Sequence, residues 1–464
     1  MSSVPSEEYS FLTAPIGRLL AANAVPMAFV MGMSGLLNVV DAAFLGHYVG
    51  PDALAAVTFS FPGVMILIAL GSLVGGGMSS LFARYLGAGD RTSAAMIFAS
   101  AHGLCLIVSF GLVAVFWLFG PSSFAAMAKD KGDVASLASA YLLILVSGAP
   151  IQFLMNLHAD AARCEGRAGF MAILSVGVTV ANIALNYVLI VILQMGVAGS
   201  AWGTVLAQAL GLAMLIELRR RDSRLLPLAT LLRFPWKNSW RAILALGLPL
   251  SLSFIGMALV SGAVIGAVNR TGAEDHNAVV AAYGIVTRIL GFAFMPLMAL
   301  ALATQTIVGT NSGAGLDARS DQALTRAVGL AFGYCLLLEL GLFTASGWLG
   351  AGFVDDAQVV SAVGMIIRPI LIFYLFSGPI LVLAMYFQAI GMPTRTASLM
   401  LLKPFVLAPL AIFAFANLAA PDHLWFAFPV VDGAVLMVAL MLFARHIGSA
   451  DHRGNGAGKR STRT

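Results

Sequence analysis

Apolar residues run along this chain in long blocks rather than in short amphipathic stretches. Twelve blocks, at 15–46, 52–82, 93–119, 134–156, 168–192, 196–217, 241–268, 278–309, 324–349, 357–388, 395–417 and 424–445, are separated by Gly, Pro and clustered charge. Crossing a hydrocarbon layer takes about 20 apolar residues in a helix, so the pattern predicts twelve transmembrane helices. Several blocks exceed 25 residues and are expected to tilt, kink or project beyond the bilayer.

Charge patterning tests that count. Twelve spans put both termini on one side. With that side cytoplasmic, 20 of the 26 Lys and Arg residues fall in cytoplasmic segments. Only Lys129, Lys131 and Arg270 fall in outer loops, while Arg288, Arg368 and Lys403 lie within spans. An excess of this size matches the positive-inside rule. The expectation is a multi-pass protein of the inner (cytoplasmic) membrane with both termini cytoplasmic. The net charge of +5 therefore reflects topology and gives no reason to expect a nucleic-acid partner. Composition agrees, with 60% hydrophobic and 10% charged residues against about 25% charged in soluble domains. Cys105, Cys164 and Cys335 form no CxxC pair, and the seven histidines form no metal-ligand cluster. No Walker loop is present, so no nucleotide chemistry is expected. The opening residues carry Glu7 and Glu8 rather than a basic n-region, so no cleaved signal peptide is expected.

The Arg-rich segment 218–240 divides the spans six and six, and it reads as a solvated cytoplasmic linker lying on anionic lipid. The two halves also repeat. Pro26 matches Pro249 at an offset of 223, Gly87-Ala88-Gly89 matches Gly313-Ala314-Gly315 at 226, and Gly166 matches Gly391 at 225. With an even number of spans in each, the halves share one orientation, like the parallel repeats of secondary transporters. The fold expected is all-α integral membrane, with two pseudo-symmetric six-helix lobes. Its parts are a cytoplasmic N-terminal tail (1–14), an N-lobe (15–217), the linker (218–240), a C-lobe (241–445) and a disordered basic tail (446–464).

Acids inside spans are functional candidates by default, and three stand out: Asp41, Glu339 and Asp432. Asp41 lies five residues before the outer end of the first span, about 7–8 Å below the surface. Asn182 and Asn186, i and i+4 on one face of the fifth span, and Thr204 on the sixth lie at the same depth. A carboxylate, two amides and a hydroxyl converging there can hold a hard cation or frame a proton-binding carboxylate. Interhelical hydrogen bonding is the plainer use of Asn and Thr in such bundles. Pro26, about four turns before Asp41, removes a backbone hydrogen bond and is a candidate hinge. Glu339 and Asp432 have Arg288, Arg368 and Lys403 as candidate ion-pair partners, which favours structural roles.

The segments GRLLAANAVPMAF…NVVDAAFLGHYVGPDALAAV (17–57), SLFARYLGAGD (80–90), TQTIVGTNSGAG (304–315) and YFQAIGMPTRTA (386–397) resemble the multidrug and toxic compound extrusion (MATE) family across about 15–445. The resemblance implies a V-shaped pair of lobes and export of cationic amphipathic compounds by antiport against H⁺ or Na⁺. It also implies a coupling-ion site at Asp41, Asn182 and Thr204, with Asn186 standing where many relatives carry a second acid. A single carboxylate weakens the case for tight Na⁺ binding and leans towards H⁺. No cofactor is implied apart from Na⁺ as coupling ion, and the partners expected are small cationic substrates, H⁺ or Na⁺ and membrane lipids, for a monomer. Two alternatives stay open. One is a flippase for lipid-linked intermediates. The other is a membrane-embedded acyltransferase built around His158 and Asp160.

Overall fold

The computed structural model describes residues 8–127, 132–271, 276–418 and 421–458. Lys129 and Lys131, assigned above to an outer loop, and tail residues 459–464 lie outside them. The described residues are helical without a strand. The helices are α1 (Glu8–Thr13), α2 (Ile16–Tyr48), α3 (Pro51–Gly87), α4 (Arg91–Met127), α5 (Gly132–Ser147), α6 (Ala149–Cys164), α7 (Ala168–Asn186), α8 (Gly196–Arg221), α9 (Thr230–Arg233), α10 (Trp240–Thr271), α11 (His276–Gly313), α12 (Asp317–Ala345), α13 (Ala357–Leu371), α14 (Ser377–Ala389), α15 (Pro393–Leu402), α16 (Ala408–Leu418) and α17 (Ala427–Gly458).

Ten of the described helical stretches are long and apolar enough to cross a membrane unbroken, and two bent helix pairs bring the number to twelve if each pair is one span. The twelve-span reading fits this set, with one refinement. Blocks 134–156 and 357–388 are each two helices, α5 with α6 at 49° and α13 with α14 at 53°. The first break falls at Gly148, just before Pro150, whose missing N–H interrupts the helical ladder. The second follows Pro369 and is bridged by a 3₁₀ turn, Tyr374–Phe376. A break at this depth frees backbone groups that need partners. The Leu375 N–H finds one in Glu339 Oε2 at 2.8 Å, so this intramembrane acid caps the break.

The breaks sit at equivalent places in the two repeats, and other landmarks behave likewise. Gly89 and Gly315 have φ of +72° and +73°, and Gly166 and Gly391 have +86° and +80°. These left-handed turns suit glycine, which lacks the Cβ that makes the region costly. The conserved spacing of the repeat is thus a repeated backbone conformation.

The chain forms two compact units. The first comprises Met1–Ala258, Phe292–Ala327 and Gln388–Pro393, and the second Leu259–Gly291, Val328–Phe387 and Thr394–Thr464. Within the first, the ends of α3 and α11 meet reciprocally. A Cβ on Gly87 would lie 1.9 Å from the Thr310 carbonyl, and one on Gly313 would lie 2.0 Å from the Arg84 carbonyl. Since 84 and 310 differ by the same 226 as 87 and 313, the contact is related by the internal repeat. Close by, Arg163 is buried at 1% exposure. Its guanidinium donates to Asp160 Oδ1 (3.0 Å), Ser79 Oγ (3.1 Å), Thr306 Oγ1 (2.5 Å) and the Leu302 carbonyl (3.0 Å). One arginine thereby ties α6 to α3 and α11.

The linker is anchored more firmly than a solvated connector. Arg219 pairs bidentately with Glu165 (3.0 and 2.8 Å), Glu165 accepts the Leu226 N–H (2.8 Å), and Leu225 and Leu226 are buried. The apolar leucines explain the difference, because exposing them next to a packed helix end would forgo their burial. Leu232, at 93% exposure, keeps the exposed character expected of this segment. At the other end, α17 continues to Gly458, through thirteen residues of the tail that composition assigns to disorder. Helix propagation adds one hydrogen bond per residue without a new nucleus, and this favours extension from a preceding span.

In the second unit, Arg368 Nε donates to Ser346 Oγ (2.9 Å) and Lys403 pairs with Asp432. His446 lies between Tyr386 Oη (3.0 Å) and Arg395 Nη1 (3.2 Å).

Candidate coupling-ion site

The four polar residues singled out at one depth do meet. Asn182 and Asn186 sit one turn apart on α7, both fully buried, on the face turned towards α2 and α8. Asn186 Nδ2 donates to Asp41 Oδ1 (2.5 Å) and to Asn182 Oδ1 (3.0 Å). Asn182 Nδ2 approaches Thr204 Oγ1 (3.4 Å), which itself donates to the Ser200 carbonyl (3.1 Å). The opposite orientation of the Asn182 amide is also satisfied, donating to Asp41 Oδ1 at 3.0 Å and accepting from the Thr204 N–H at 3.3 Å. Which face of an amide is oxygen is set by its network, and here either face finds a partner.

Such a chain responds to charge. An ionised Asp41 accepts from the Asn186 amide, and from Asn182 as well in the second orientation of that amide. A carboxylic acid or a bound cation needs acceptors instead, and amides supply them by turning over. One acceptor is already unused, since Asn186 Oδ1 is buried without a hydrogen-bond partner. The donor set of one carboxylate, amide oxygens and a hydroxyl fits a hard monovalent cation and a proton alike.

Residue patterning missed what lets the helices approach closely enough. A Cβ on Gly203 would stand 2.1 Å from Asn186 Oδ1, and one on Gly199 would stand 3.1 Å from the Leu189 backbone. Gly199 and Gly203 form a small-xxx-small face on α8, a signal visible in GVAGSAWGT (196–204) but silent about its partner. The helix also widens into a π turn, Tyr187–Ile192, directly after Asn186. Gly203→Ala is expected to rotate the Asn186 side chain off Asp41 and leave the fold intact. The ion concentration for half-maximal efflux should shift about tenfold, the order of one charge-assisted hydrogen bond. Monodispersity of the purified variant together with an ion titration of efflux checks this.

Pro26 lies inside α2, which runs unbroken from Ile16 to Tyr48. His158 and Asp160 do not form a catalytic pair. Asp160 is taken by Arg163, and His158 Nε2 faces His102 Nε2 at 3.1 Å.

The family profile described as MatE matches twice, at residues 26–188 and 249–412, more than two thirds of the chain. The two matches are offset by 223–224 residues, the spacing of the internal repeat. The chain is 23% identical over 420 residues to the multidrug export protein MepA of Staphylococcus aureus (strain MSSA476), covering 90% of this chain and 91% of that protein. Two solved structures share its fold at a TM-score of 0.88 and 24% identity, covering 96% of this chain and 99% of each. One is a MOP superfamily transporter from Pyrococcus furiosus Vc1, and the other is a multidrug resistance MATE family transporter in an outward-facing conformation. The chain belongs to the MATE family, and it is thus a multi-pass membrane transporter for secondary-active, ion-coupled multidrug efflux of small cationic compounds, not an enzyme.

Proposed function

We propose that the protein exports organic cations in exchange for H⁺ across the cytoplasmic membrane, with Asp41 as the coupling carboxylate and Asn182, Asn186 and Thr204 as its adaptable partners. The observation that carries this reading is the amide chain running from Asp41 through Asn186 and Asn182 to Thr204. On the outer side a proton neutralises Asp41, the amides turn to offer acceptors, and the outward state releases its cargo. On the inner side the proton leaves and the charged carboxylate restores the first arrangement. Pro26 supplies the hinge through which α2 follows that change, because an amide ladder lacking one bond bends more easily there. The lobes are 15–217 and 241–445, with both termini cytoplasmic and the protein working as a monomer among membrane lipids. The charge split across the spans and the anchored linker at 218–240 support this arrangement.

Na⁺ is the second reading, favoured by the unpaired Asn186 Oδ1. Proteoliposomes given either a pH gradient or a Na⁺ gradient separate the two. Ethidium efflux is expected with the pH gradient alone. Efflux driven only by Na⁺ replaces H⁺ with Na⁺ at the same residues, and efflux under neither gradient overturns the exporter reading.

A further inference from the structure

The second unit holds an intramembrane ion pair that the coupling site does not use. Lys403 opens a π-helical turn, Lys403–Leu407, in the Pro393–Asn417 span. Ten residues from its start, it sits about 15 Å deep. Asp432 lies nine residues into the span His423–His446, about 14 Å from that end. The two pair through Nζ and Oδ1, so of the three intramembrane cations it is Lys403 that neutralises this acid.

The pair is unequally covered. The Asp432 side chain is 12% exposed and the Lys403 side chain 39%. Charged side chains at that depth almost always face the bundle interior or a water-filled cavity, and a two-fifths exposed ammonium leaves part of its charge open to water or a polar cargo there. A π turn places an irregular stretch of helix at this point, a feature frequent at functional sites. Beside Asp432, the Cβ position of Gly433 lies 3.8 Å from the Phe373 ring. From Phe373 an aromatic run continues to Phe376 and Phe332, with centroids 6.2 and 6.1 Å apart.

We propose that Lys403 and Asp432 form an exchangeable ion pair that binds zwitterionic aromatic compounds, the ammonium of the cargo replacing Lys403 at Asp432 and its carboxylate replacing Asp432 at Lys403. Charge counting gives the selectivity. A zwitterion exchanges one internal pair for two matched ones and leaves no charge alone in low dielectric. A monocation that takes Asp432 strands Lys403, and a monoanion that takes Lys403 strands Asp432, each leaving an uncompensated charge. The aromatic run covers the apolar body. The proposal rests on the exporter reading and adds a substrate class to it.

Three probes with one dansyl body test it: Nα-dansyl-lysine, a zwitterion; its methyl ester, a monocation; and its Nε-acetyl derivative, a monoanion. Transport is measured in proteoliposomes with the full chain under the driving gradient, alongside ethidium. Wild-type protein should move the zwitterion at least tenfold faster than the monoanion, a comparison that needs no variant. Lys403→Met should lower the ratio of zwitterion to methyl ester transport about tenfold. Asp432→Asn should turn preference towards the monoanion, and the exchanged double variant, Lys403→Asp with Asp432→Lys, should restore the zwitterion ratio. Ethidium movement by wild type without zwitterion movement overturns the proposal and leaves the exporter reading standing. So do ratios unchanged by the single variants. Failure of wild type to move ethidium under any gradient removes the exporter reading, and this proposal with it.

Discussion

Asp41→Asn is expected to stop gradient-driven ethidium efflux, with a loss of at least about 100-fold, while the purified protein stays monodisperse and still binds ethidium. The substitution is close to isosteric, and the Asn186 amide can still donate to the carboxamide oxygen that replaces Asp41 Oδ1. Local packing is therefore kept. What is lost is the ability to exist in two charge states. Coupling requires that the ion bind the two conformations with different affinity, and a site that cannot change charge gives a proton no such difference. A two-state equilibrium needs about 5.5 kcal/mol of differential binding to swing from 1:99 to 99:1. Asn supplies none of it through protonation. Full retention of transport in inside-out vesicles would remove Asp41 from the coupling role.

The second large effect is expected at Arg163. Arg163→Met removes a buried guanidinium that serves Asp160, Ser79, Thr306 and the Leu302 carbonyl at once. The methionine fills much of the volume, and although Thr306 Oγ1 keeps its bond to the Leu302 carbonyl, Asp160, a carboxylate only 27% exposed, loses its ion-pair partner. Breaking a buried ion pair from one side typically costs about 3–5 kcal/mol. The variant should unfold at a markedly lower temperature in detergent and export slowly, because α6 is no longer tied to α3 and α11. Asp160→Asn added to Arg163→Met should recover part of the stability, since it removes the stranded charge. An unchanged thermal midpoint for Arg163→Met would show that the network contributes nothing net.

Much of the candidate site was legible before any coordinates. Asp41, Asn182, Asn186 and Thr204 could be grouped because depth follows from residue count in a spanning helix, and i, i+4 spacing assigns a face. The repeat was legible for a similar reason. Gly89, Gly166, Gly315 and Gly391 mark turns whose positive φ leaves few residue choices. Other features were illegible because they depend on which helix lies opposite. Gly203 looked like one small residue among several until its missing Cβ proved to be the space occupied by Asn186. Glu339 invited an ion-pair reading, yet it caps a break that could not be located from an apolar run. His158 and Asp160, neighbours in the chain, turn to different partners.

The division follows from the physics. The expected topology, the span number, the duplication and the shared depth of the polar groups come from terms that act along one chain: hydrophobic length, charge asymmetry and helical rise. They needed nothing beyond the order of residues. The partner of each buried charge, the donor each amide turns towards, the bends at Gly148 and after Leu371, and the tight contact of Gly87 with Thr310 arise from contacts between distant segments. Short-range packing and hydrogen bonding set those contacts. Their strength depends on separations of a few tenths of an ångström, which no spacing along the chain encodes.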